Sequence, residues 1–209
     1  MPPFLACGVT DSRIANQPIF GVVISTIEHL ARDITDYPTS KLAFSVLVRM
    51  VSTWGGPDRV SEDQSQRSGA LSNGHQQTKL EGFDQFMMTR FSPLCWAIPS
   101  NPNFDSKDAQ GKQALSEAAV LQKTICMKVG SEYLAWLENT ELSGMGMDRP
   151  ARDEYLNALI SMDVKTFQTY FKVGTTTASQ RRASANGGQN LVQRSTSAAS
   201  NSSINGVGY

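Results

Sequence analysis

In residues 17–57 and 80–172 apolar side chains recur every three or four positions, and nowhere do they alternate with the period of two that a half-buried strand requires. The stretch 17–34, QPIFGVVISTIEHLARDI, sets Phe20, Val23, Ile24, Ile27, Ala31 and Ile34 on one stripe of a helix. A second helix opens at Pro38, where a missing N–H costs nothing. Ala43, Val46, Leu47, Met50, Val51 and Trp54 form its apolar face, and Gly55-Gly56-Pro57 stops it. The short link between the two predicts an antiparallel hairpin, a helix pair over 17–57 that follows an N-terminal extension at 1–16.

Residues 58–79 are Ser-, Gln-, Gly- and Asn-rich and carry few bulky apolar groups. Such a segment buries too little to offset its ordering entropy and reads as a mobile polar loop. A third helix carries Phe83, Phe86, Met87 and Phe91 on one side until Pro93 kinks it or ends its regular part. The segment RFSPLCWAIPSNPNFDSKDAQGK, 90–112, then reads as the corner of a second hairpin. Asp105 is expected as the N-cap of the fourth helix, with Asp108 near its positive end. That helix buries Leu115, Ala118, Ala119, Leu121, Ile125 and Val129, and Gly130 closes it. Ser131 is expected to cap a fifth helix with Tyr133, Leu134, Trp136 and Leu137. Gly144, Gly146 and Pro150 break the chain before a sixth with Tyr155, Leu156, Leu159 and Ile160. Asp163 starts a seventh with Phe167, Tyr170 and Phe171. From residue 173 the composition falls to Ser, Thr, Ala, Asn and Gly, which predicts a disordered C-terminal tail over 173–209. The pattern is all-α, and helix pairs at intervals of about 40 residues suit an α-solenoid of the HEAT type.

Chemistry is sparse in this pattern. His29 and His75 have no Cys, Asp or second His at metal-ligand spacing, so no metal is expected. Cys95 follows a helix-breaking proline, but its apolar neighbours suit a buried thiol. Gly144-Met145-Gly146-Met147 lacks the strand and the Gly-Lys-Ser/Thr of a phosphate loop. No carboxylate pair is marked for acid–base work, and no enzyme or cofactor is expected. Cys7, Cys95 and Cys126, odd in number and far apart, suit reduced thiols of the cytosol or nucleus. The opening MPPFLACGVTDSR shows no secretory pattern, and no apolar run is long enough for a bilayer.

Net charge is zero, but three arginines and no acid follow Gly174, leaving 16 basic and 19 acidic residues before it. Whole-chain charge therefore gives no argument for nucleic acid, whereas a local row of cations would. Lys112 and Lys123 lie about three turns apart on nearly the same side of the fourth helix, and Arg90 and Lys107 flank the corner before it. Such a row tracks phosphates, or it is simply a solvated face. Arg181-Arg182-Ala183-Ser184 has two basic residues before a serine, which makes Ser184 a candidate phosphorylation site.

Three long segments carry a resemblance: 16–58, 90–112 and 140–171, the last reading TELSGMGMDRPARDEYLNALISMDVKTFQTYF. In order, they resemble the C-terminal part of fungal exportin-T, receptors of the karyopherin-β family that carry tRNA out of the nucleus. The resemblance spans nearly all of 16–172 outside the polar loop. It implies stacked HEAT-type helix pairs, as the periodicity does independently. It further implies binding of tRNA together with the GTP form of the small GTPase Ran, passage through nuclear pore proteins, shuttling between nucleus and cytoplasm, and no catalysis. RNA recognition in this family is chiefly of shape and backbone, in keeping with scattered Lys and Arg. Family members are several times longer, and their N-terminal repeats supply most Ran contacts, so this chain reads as the C-terminal, cargo-side part. Arg90, Lys107, Lys112 and Lys123 are the candidate tRNA contacts. The competing reading is a helical-repeat scaffold, or a truncated remnant, that binds protein partners without transporting tRNA.

Overall fold

The computed structural model describes residues 18–59, 80 and 82–175, and all its regular elements are helical. Helix α1 spans Pro18–Arg32 and α2 spans Tyr37–Trp54. Asp36 caps α2, its carboxylate accepting from Thr39 N at 3.1 Å, with Pro38 in the first turn. The rings of Phe20, at the start of α1, and Trp54, at the end of α2, lie 5.8 Å apart, so the pair is antiparallel. Ser40 Oγ secures the turn by donating to Ala31 O at 3.0 Å.

The third helical stretch, α3 (83–100), is continuous but changes pitch three times. Phe83–Phe86 is α-helical, Met87–Phe91 is a π turn, Ser92–Trp96 is 3₁₀ and Ala97–Ser100 is α again. Pro93 explains the switch. It has no N–H to continue the ladder, and Ser92 N–H reaches back to Met87 O, five residues away. The proline thus distorts the helix without ending it.

Helix α4, Ala109–Val129, is the centre of the fold, packing against α2, α3, α5 and α6. Its N-cap is Asp108, which accepts from Gln110 N at 2.7 Å and Gly111 N at 2.8 Å. Asp105, the expected cap, instead closes a turn onto Lys107 N at 2.8 Å. The start is fixed by packing: Tyr37 and Phe104 meet edge to face at 6.2 Å over Gly111, where a Cβ would come within 3.1 Å of the Phe104 ring.

Gly130 (φ 74°, ψ −138°) turns the chain directly into α5 (131–144). That backbone geometry is open only to glycine, and it takes the place of the expected Ser131 cap, since no side-chain hydrogen bond caps this start. Helix α5 contains a second π stretch, Leu137–Leu142. Helix α6 is Arg149–Ser161, capped by Asp148, with Pro150 in its first turn rather than acting as a breaker. Helix α7 (164–175) starts under Asp163, which accepts from Lys165 N at 2.9 Å and Thr166 N at 3.1 Å. It continues through Val173, Gly174 and a buried Thr175, beyond the boundary that composition suggested for the tail.

The core runs through every helix and is rich in Phe44, Phe83, Phe91, Tyr133, Phe167 and Phe171, all essentially inaccessible. The chain is an all-α array of packed helix pairs, as its HEAT-type pattern requires. Most of the polar loop at 60–79, the N-terminal extension to residue 17, and the tail from 176 with Ser184 lie outside the described residues, as do Cys7 and His75.

Candidate functional site

The four cations expected to meet RNA occupy three different environments. Lys107 and Lys112, on the turn before α4 and on its first exposed face, are solvent-exposed. Lys41 of α2 is close by, its Nζ donating to Gln113 Oε1 at 3.1 Å. The same edge carries carboxylates, so it is mixed in sign: Asp105 is exposed and Asp108 partly so.

Arg90 is committed to the protein. Its Nε donates to Glu28 Oε1 at 2.9 Å and its Nη2 to Glu28 Oε2 at 2.5 Å, while its guanidinium lies 5.9 Å from the Phe86 ring centroid. The bonds to Glu28 push the Arg90 pKa further up. This fork ties α3 to α1.

Lys123 turns inward. Only 8% of it is exposed, and its Nζ donates to the carbonyls of Leu159 at 2.5 Å and Ile160 at 3.1 Å, the last turn of α6. Burial lowers its pKa. Lys123 therefore shares a side of α4 with Lys112, as the spacing predicts, but α6 covers that side at its C-terminal half. Two other cations do the same work. Lys128 Nζ donates to Gly56 O at 2.6 Å and pairs with Asp58 at 3.0 Å, just past the end of α2. Arg59 donates to Val129 O at 3.2 Å, at the end of α4, and pairs with Asp84 at 2.9 Å.

The Pro/Cys/Trp corner holds a buried polar cluster that sequence reasoning missed. Ser92 Oγ donates to Glu141 Oε2 at 2.8 Å and lies 2.7 Å from Tyr133 OH, and Trp96 Nε1 donates to the same Glu141 oxygen at 3.1 Å. On the neighbouring side Tyr155 OH donates to Gln122 Oε1. Burial raises the Glu141 carboxyl to about 7, against the opposing pull of the Ser92 and Trp96 hydrogen bonds. No local motif marks Glu141, because its partners come from another helix.

Cys95 is fully buried in this corner, its Sγ directed at Phe91 O, and burial together with the nearby Glu141 carboxylate raises its thiol pKa well above normal. Cys126 is pushed up to about 11 by burial. Neither thiol is poised as a nucleophile at neutral pH. His29 lies exposed on α1. Among the described residues no group of three His, Cys, Asp or Glu converges as a metal site, and no helix is long and apolar enough to cross a membrane.

Comparison with known proteins bears on the whole array. The sequence model of the family Exportin-T matches residues 10–179. Proteins named Exportin-T from Aspergillus fumigatus (strain CBS 144.89) and Aspergillus oryzae are 54% and 52% identical to the chain over 160 residues each. One from Aspergillus niger is 53% identical over 156 residues. The three alignments cover 76%, 77% and 75% of this chain, yet the chain spans only 15% of the length of each relative. No solved structure matches.

Proposed function

The chain belongs to the Exportin-T family, a family of transport receptors, and from that membership we propose that it is the C-terminal, cargo-side part of a tRNA nuclear export receptor. In this reading the whole receptor binds tRNA together with Ran in its GTP form and shuttles between nucleus and cytoplasm through contacts with nuclear pore proteins. The supporting observation is the family match over residues 10–179, which takes in every described helix. The packed helix pairs suit such a receptor, since a helical array offers a long rigid surface to a cargo recognised by shape.

Within this part, Lys107 and Lys112 are the cations we assign to phosphate contact, because both are exposed at one corner of the array. Lys41 beside them extends the patch. Arg90 keeps about a third of its side chain accessible, and its charge is largely answered by Glu28. Lys123 is given no phosphate contact, because its ammonium is used in holding α6 against α4.

The test is made on the native polypeptide. It is immunoprecipitated from cell extract with GTP-locked Ran added or omitted, and the bound RNA is quantified. Enrichment of tRNA over 5S rRNA that depends on Ran-GTP is the expected result. Recovery of protein partners with no tRNA enrichment under either condition would leave the scaffold reading in its place.

A further inference from the structure

A cleft of about 420 Å³ opens between the end of α3, the turn after α5, and helices α6 and α7. Its volume is within the range of about 300–1,000 Å³ typical of ligand sites. Aromatic rings dominate it. Trp96 sits 5.3 Å from Tyr155 and 5.2 Å from Phe171, and Tyr155 sits 6.1 Å from Tyr170, centroid to centroid, all at tilted angles. Tyr155 and Phe171 are buried and form the floor, whereas Trp96 and Tyr170 are half-buried and keep ring surface at the wall. Met145 and Met147 add to the lining from a turn that contains Gly146.

Charge decides what this cleft accepts. Among its described lining residues the one charged side chain is Glu154, exposed at the rim. Tyr170 OH lies 3.5 Å from Glu154 Oε1, at the outer limit of a hydrogen bond, so the carboxylate sits next to the aromatic wall. Faces of π-electron density next to a carboxylate repel phosphate and attract an organic cation. A guanidinium fits better than an ammonium, because it is flat, weakly hydrated and stacks on rings while donating to a carboxylate.

We propose that this cleft is a docking site for an arginine side chain presented by a partner protein segment, with the guanidinium against Trp96 and Tyr170 and paired to Glu154. The site is separate from tRNA binding: its described lining carries an acid and no base, and it does not depend on Lys107 or Lys112. The two methionines give the wall the compliance to fit the arginine's methylene stem.

Fluorescence anisotropy tests this with the full 209-residue chain and two labelled peptides, one carrying a single arginine flanked by glycines and the other citrulline, its uncharged isostere, at the same position. The arginine peptide is expected to bind saturably and roughly tenfold more tightly than the citrulline peptide. Glu154→Gln, an exposed change that leaves helical circular dichroism intact, is expected to remove most of that difference. Tyr170→Leu is expected to weaken the arginine peptide by roughly fivefold. Equal binding of both peptides would overturn the proposal, as would full binding of the arginine peptide to Glu154→Gln, or no saturable binding at all.

Discussion

Arg90 and Glu28, 62 residues apart in sequence, meet as a two-pronged pair at 2.9 and 2.5 Å that joins the third helix to the first. Glu28 is only 8% exposed, so its charge needs this partner. Arg90→Ala should cost about 1–3 kcal/mol of stability, a range set by the burial of Glu28 and moderated by the partial exposure of Arg90. Arg90→Lys should recover less than half of the loss, since an ammonium cannot span both oxygens. Urea unfolding of the two variants and of Glu28→Gln, arranged as a double-mutant cycle, gives the coupling directly. A coupling near zero would mean the pair is ornamental.

Lys112 and Lys123 share a helix side and should behave oppositely. Lys123→Glu places a carboxylate against the carbonyls of Leu159 and Ile160, at the negative end of α6, and should cost about 3 kcal/mol or more. Lys112→Glu, on an exposed position, should change stability by no more than about 0.5 kcal/mol. Thermal melts separate the two. Of the pair, only Lys112→Glu is a clean probe of RNA affinity, because a tRNA-binding loss in Lys123→Glu would be confounded by unfolding.

That contrast shows what the sequence could and could not convey. Spacing found the helices but not their ends, since α3 runs through Pro93 to residue 100 and α7 to 175, and Phe83, Phe86, Met87 and Phe91 are all buried as their period requires. Spacing cannot say which arc of a helix acquires a neighbour. In α2, apolar residues occur on nearly every side. The structure covers Phe44 completely, because α2 lies between α1 and α4, and leaves Val46, placed on the expected stripe, 42% exposed. In α1, Val23 of the expected stripe is likewise 46% exposed. Glu141 and Lys123 were illegible for the same reason: their roles depend on partners supplied by other helices, Ser92 and Trp96 for one and the end of α6 for the other. Asp163 was legible as a cap, whereas Ser131, the one candidate before α5, caps nothing because the Gly130 turn starts that helix. The cap of α4 was ambiguous because Asp105 and Asp108 competed, and the packing of Tyr37 and Phe104 over Gly111 settled the choice.

Both described cysteines should resist alkylation in the native chain. Cys126, with its thiol pushed up to about 11, is almost wholly protonated at mildly alkaline pH, and burial raises the Cys95 thiol in the same direction. Peptide-resolved iodoacetamide labelling should find both unmodified under native conditions and both modified in guanidinium chloride. Rapid native labelling of Cys95 would show that the corner opens.

Glu141 gives the chain a pH dependence of unusual sign. Its carboxyl is raised from 4.5 to about 7 because the fold withdraws it from water, so the folded state holds this proton more tightly than the unfolded chain does. Its contribution to stability is therefore complete below about 4.5 and is lost as pH rises to about 7. Most acid residues act in the other direction; Asp33 and Asp163, held low mainly by hydrogen bonds from Thr35 and Thr166, lose stability only when pH falls through their own range. Glu141→Gln isolates the effect, since an amide carbonyl can still accept from Ser92 and Trp96 yet never ionises. The variant should match the parent near the lower end of the window and exceed it by about 1–3 kcal/mol above the upper end. The ceiling of that range follows from the width of the window, each pH unit of which is worth at most about 1.4 kcal/mol. Urea midpoints measured across the window for both proteins should diverge with rising pH. Parallel curves would mean that water reaches the carboxylate and that the Ser92–Tyr133–Glu141 cluster is open to solvent.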